Sequence, residues 1–120
     1  MHLLSQLLIS LVALIHAYIV WLEMFAWTAR GPQVFKSFPA ELFGPTKAMA
    51  GNQGLYNGFL VAGLVWALLI TDPQWHRHVG TFFLGCVAVA GLYGAATAGR
   101  GILLVQTVPA ALALAALWLA

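Results

Sequence analysis

Residues 3–28 read LLSQLLISLVALIHAYIVWLEMFAWT, and only one of them, Glu23, is charged. A bilayer core of about 30 Å is crossed by roughly 20 helical residues, so this run is long enough to span one. Three further runs meet the same demand, at about 46–71, 79–98 and 102–120. The whole chain is 62% hydrophobic and 7% charged, with a mean hydropathy of +0.93. A soluble core of this size cannot hide that much apolar surface. The expected fold class is therefore all-α: an integral membrane four-helix transmembrane bundle, one membrane domain over residues 1–120. Its only long connection, residues 29–45, is an interfacial loop between the first two helices. Alternating ten-residue segments, the mark of a membrane β-barrel, do not occur.

The first run is a poor signal peptide, because MHLLSQ carries no Lys or Arg and the apolar stretch is long. Cys86 is the sole cysteine, so no intrachain disulfide forms. A net charge of +2 is too small and dispersed for nucleic acid. Arg30, Lys36, Lys47 and Arg100 fall in the first and third connections, and Arg77 alone falls in the second. Cations concentrate on the cytoplasmic side. The expected location is the bacterial inner membrane, multi-pass, with both termini outward. Trp27 then lies near the inner interface, and Trp75 and Trp118 near the outer one.

With that topology, the polar residues of all four runs share the cytoplasmic half. His16 and Glu23 are seven residues apart, about 20° short of two full turns, so both point the same way about 10 Å apart along the axis. In GNQGLYNG, residues 51–58, Asn52 and Tyr56 are four apart, as are Gln53 and Asn57, which makes one polar stripe. The third run carries Tyr93 and Thr97, with Arg100 continuing the line. The fourth carries Gln106 and Thr107. Its Pro109 cannot donate a backbone hydrogen bond, which leaves the Val105 carbonyl without its helical partner. The outer halves are almost purely apolar. The expectation is one polar chamber open to the cytoplasmic leaflet. Gly54 with Gly58, and Ala90, Gly94 with Ala98, are small-residue faces that let backbones approach in lipid; they predict tight packing of the second run on the third. The loop GPQVFKSFPAELFGP, with its aromatics beside Lys36 and Glu41, suits a segment in the interface. It either covers the chamber mouth or lies on the headgroups, and Pro39 starts a short helical turn.

Glu23 is the sharpest candidate for chemistry. An acid at a helix centre costs about 2.5–3.5 kcal/mol on insertion, although Glu23 is close enough to the helix end to reach interfacial water or pair with Arg30. His16 is its expected acid/base partner. Asn52, Gln53, Tyr56, Asn57, Tyr93, Thr97 and Gln106 are the expected ligand-binding set, against the alternative that the amides simply bridge helices. One His, one Glu and some amides are too few ligands for a transition metal, so neither metal nor cofactor is expected. His76-Arg77-His78 reads as a solvated outer loop, and Cys86 as an apolar filler.

The blocks IHAYIVWLEMF, GNQGLYNGF, LYGAATAGRGILL and QTVPAALAL resemble those of a family of small bacterial four-span membrane proteins with a domain of unknown function. The resemblance covers nearly the whole chain and falls on the residues that topology gathers. It implies the fold and the membrane location and leaves the activity open. Three functions compete. The first is a site for a small amphiphilic or lipid-like molecule, whose head sits among Glu23, His16, Asn57 and Tyr56, with acid/base chemistry of the kind membrane isomerases perform. The second is a small proton-coupled exporter, dimeric like other four-span exporters with one acid in the first helix. Polar groups lopsided toward one leaflet speak against it, since transporters bind near the midplane. The third is an accessory or structural subunit that uses the polar cluster as glue. The expected partners are membrane lipids, an amphiphile and a second copy of the chain.

Overall fold

The computed structural model describes residues 2–119. Among them the regular structure is entirely helical: α1 Leu3–Phe25, a single turn α2 Gly31–Val34, a 3-10 turn Ala40–Leu42, α3 Lys47–Leu69, α4 Pro73–Thr97, a π-helical stretch Leu103–Thr107, and α5 Val108–Leu119. α1 and α4 are long and apolar enough to cross a membrane. α3 has the same 23-residue length as α1, but its Asn52–Asn57 stretch dilutes its apolar character. The last expected run extends to Ala120, which lies outside the described residues.

Two of the departures from expectation have identifiable reasons. α4 begins at Pro73, six residues before the expected start at 79. Asp72 caps it by accepting from the Trp75 amide at 2.9 Å, and Pro73 occupies the first turn, where its missing N–H costs nothing. His76, Arg77 and His78 are therefore helical and not a loop, and His76 is buried. The final run is not one regular α-helix. The Val108 amide reaches back to the Leu103 carbonyl, five residues away. That π geometry directly precedes Pro109, whose ring and absent N–H are incompatible with a regular turn.

The contacts divide the chain into two compact units. One comprises residues up to Ile15 and those from Leu60 onward. Its core joins Ile9, Val12 and Ala13 of α1, Leu64 of α3, Leu84 and Val87 of α4, and Ala110, Ala113 and Leu117 of α5. Small residues set the spacing. A Cβ on Gly91 would strike the Thr107 hydroxyl and come within 2.7 Å of the Thr107 amide nitrogen. That close approach lets Thr107 Oγ1 donate to the Ala88 carbonyl at 3.0 Å. Gly94 faces Ile102, and Gly63 faces the Phe83 ring. The Trp118 indole donates to Thr81 Oγ1 at 2.8 Å, and the Arg77 guanidinium lies 5.0 Å from the Trp118 ring centre, within cation–π range.

The other unit is His16–Phe59. Its connection is a folded aromatic knot. Trp27 contacts the rings of Phe35, Phe38 and Phe43 at centroid distances of 5.6, 6.0 and 5.0 Å. The Trp27 indole donates to Thr46 Oγ1 at 3.0 Å, and Thr46 Oγ1 donates to the Leu42 carbonyl at 2.7 Å. Gly31 has no side chain because the Phe43 ring fills that space. The expected turn after Pro39 is present as the 3-10 turn Ala40–Leu42.

Candidate functional site

The clearest polar contact in the His16–Phe59 unit joins α1 to α3. Asn57 Nδ2 donates to Glu23 Oε1 at 2.7 Å and lies 3.3 Å from the Gln53 carbonyl. Glycine makes the approach possible. A Cβ on Gly54 would lie 2.6 Å from Met24 Cγ and 3.0 Å from Glu23 Cβ, so any larger residue would push the helices apart. Gly58 faces Val20 of α1 at 4.0 Å. The Gly54/Gly58 face thus packs on the first helix and not on the third run as expected. The glycine face of α4 correspondingly packs on the helix that follows it.

Asn57 is buried and Glu23 is half-buried. Arg30 does not pair with it: its guanidinium donates to Gln33 Oε1 at 2.6 Å and to the Tyr18 hydroxyl at 3.4 Å. A carboxylate with one oxygen held by an amide has a second oxygen that can accept a hydrogen bond or a proton. His16, on the same helix, is fully buried.

The other expected site residues are placed differently. Asn52, Gln53 and Tyr56 are exposed, so the polar stripe of α3 divides: Asn57 turns inward while Asn52 and Tyr56 face outward. Tyr93, Thr97 and Gln106 belong to the other unit. There Tyr93 is 72% exposed, Thr97 Oγ1 donates to the Tyr93 carbonyl at 2.8 Å, and Gln106 is half-buried. Two shallow grooves of about 300 and 420 Å³ are lined by Trp66, Trp75, Val79 and their neighbours, and no expected site residue lines either of them.

Sequence reasoning placed His76 in a solvated loop, whereas it is buried in α4. Its Nδ1 lies 2.7 Å from the Ala67 carbonyl. A carbonyl only accepts, so Nδ1 carries the proton. Nε2 is buried with no hydrogen-bond partner among the described residues. The signal that could have found it was Asp72-Pro73, a helix start that draws the following histidine into the helix. Among the described residues no group of three His, Cys, Asp or Glu could hold a metal.

These observations define an all-helical protein with two helices fit to cross a membrane and a carboxylate–amide pair between α1 and α3. Residues 10–118 match the family model "Protein of unknown function (DUF1304)", and the chain belongs to that family. It is also 34% identical over 116 residues to the uncharacterized protein YpaA of Lactococcus lactis subsp. lactis (strain IL1403), covering 95% of this chain and 96% of that one. No solved structure matches it.

Proposed function

We propose that this is a four-span protein of the bacterial inner membrane, one membrane domain with both termini outward, that binds the polar head of a small amphiphilic or lipid-like molecule at Glu23. The observation that carries the reading is the Glu23–Asn57 pair. The carboxylate of the half-buried Glu23 is held at 2.7 Å by a buried amide, at a point where Gly54 lets two helices meet. An ionisable group inside a span is costly and is retained where it does something. Asn57 aims the carboxylate, and the second carboxylate oxygen receives a hydroxyl or amine of the head while the tail runs along apolar helix. His16 and Glu23 are the acid/base candidates if the bound molecule is also turned over, as in an isomerisation.

The test is native mass spectrometry of gently extracted protein, with lipid analysis of bound material. A defined adduct present in the wild type and lost in Glu23→Gln and Asn57→Leu supports the reading. A bare protein whose Asn57→Leu variant loses its fold overturns it. That result would favour an accessory role, with the same hydrogen bond serving only to join α1 to α3.

A further inference from the structure

From Lys47 to Phe59, α3 has two contrasting sides. Ala50, Gly54 and Asn57 are buried. On the opposite side lie Met49, Asn52, Tyr56 and Phe59, at successive spacings of three, four and three residues. That is the a/d spacing of a helix–helix seam. All four are exposed, Met49 at 74%, Tyr56 at 59% and Phe59 at 57%. The Tyr56 and Phe59 rings stack on each other at 5.7 Å, which forms a flat aromatic end to the seam. The next position in the repeat, Gly63, is buried against the Phe83 ring, so the seam stops at Phe59. Asn52 stands within it, exposed, and its side chain has no hydrogen bond among the described residues.

We infer that this seam is where two copies of the chain meet, with the Asn52 amides of the two copies hydrogen-bonded to each other. The occupant follows from symmetry and from amide chemistry. Two copies inserted with one topology hold their α3 helices parallel, and a two-fold axis along the seam places each residue opposite its own equivalent. Charged side chains cannot serve in that position. A carboxylate would face a carboxylate, and an ammonium an ammonium. An amide carries both donor and acceptor and is complementary to itself. In lipid such an interhelical amide pair is a recognised source of association. A single Asn in an otherwise apolar seam also fixes register and favours two strands. The aromatic and thioether neighbours supply packing area on either side. The inference rests on the membrane reading above for the parallel alignment, and it requires no bound ligand.

Single cysteines in a Cys86→Ser background test it, oxidised in liposomes at a low protein-to-lipid ratio. Met49→Cys, Asn52→Cys, Tyr56→Cys and Phe59→Cys are expected to give disulfide-linked dimers. Gln53→Cys and Leu55→Cys, on the flanks, are expected to give few. In a dilution series with the native cysteine, Asn52→Ala is expected to weaken the dimer about tenfold, the scale of one amide pair in lipid, and Asn52→Gln to restore most of it. Equal cross-linking at all six positions, a dimer indifferent to Asn52→Ala, or a monomer throughout would each overturn the inference. A monomer that still carries a Glu23-dependent adduct would overturn the seam and leave the proposed function standing. A seam-dependent dimer without adduct would do the reverse.

Discussion

Asn57 and Glu23 lie 34 positions apart in sequence, and their side chains meet at 2.7 Å. The amide donates, the carboxylate accepts, and one turn earlier Gly54 touches the same stretch of α1. The contact therefore combines a polar bond with a close backbone approach, and the two can be perturbed separately.

Asn57→Ala removes the donor and leaves a half-buried carboxylate without its amide. The expected loss is about 0.5–2 kcal/mol, the range for interhelical hydrogen bonds in membranes. Glu23→Gln keeps an acceptor oxygen at the same place and should cost less. Reversible unfolding in mixed micelles, run as a double-mutant cycle, should show coupling between the two positions. Strict additivity would mean that the contact contributes nothing.

Gly91 and Gly85 offer a matched comparison on α4. Gly91→Ala drives a methyl into Thr107, including its backbone nitrogen at 2.7 Å, and should destabilise by about 1–3 kcal/mol. Gly85 has nothing within 4 Å of an added Cβ. Gly85→Ala should instead be neutral or stabilise by up to about 1 kcal/mol, through helix propensity alone. Thermal unfolding of the two variants side by side decides this, and the prediction fails if they behave alike.

Phe43 is 2% exposed and touches both Trp27 and Phe38. Phe43→Ala should cost about 3–5 kcal/mol, as for a buried aromatic. The Trp27 emission, isolated by replacing the other four tryptophans with phenylalanine, should shift to the red. Phe35 is 39% exposed, so Phe35→Ala should cost clearly less. A Trp27 spectrum unchanged by Phe43→Ala would contradict the knot.

His76→Asn retains an N–H donor close to the place of Nδ1 and so keeps the bond to the Ala67 carbonyl, while removing the buried Nε2. Its stability should stay within about 1 kcal/mol of the wild type. His76→Leu leaves that carbonyl short of one donor and should cost about 1–3 kcal/mol. Hydrogen exchange near the α3–α4 connection should accelerate only in the leucine variant, and equal exchange in both would count against the fixed tautomer.

The limits of α1 and α3 were legible because apolar length and polar breaks are written along the chain. The pairing of Glu23 with Asn57 was legible only as membership of one set. Periodicity puts Asn52 with Tyr56 and Gln53 with Asn57, but it cannot say that Asn57 alone of the four turns inward, since that depends on the helix packed alongside. Gly54 and Gly58 raise the same difficulty. A small-residue face announces a close contact without naming its partner, and here the partner was α1. The start of α4 was missed for a different reason. Charge and hydropathy made residues 72–78 look like a loop, and they outweighed the local signal of Asp72 capping a turn that opens with Pro73.

The π stretch Leu103–Thr107 holds one residue more than regular winding needs. A chain that carries a surplus residue can lose it. Shortening this stretch by one position would convert the wide turn into an ordinary proline kink and keep Ala110, Ala113 and Leu117 on one buried face of α5. The same cut within α4 would rotate every later side chain by about 100°. Length variation by a single residue, ordinarily ruinous inside a packed helix, has one place here where the fold can absorb it.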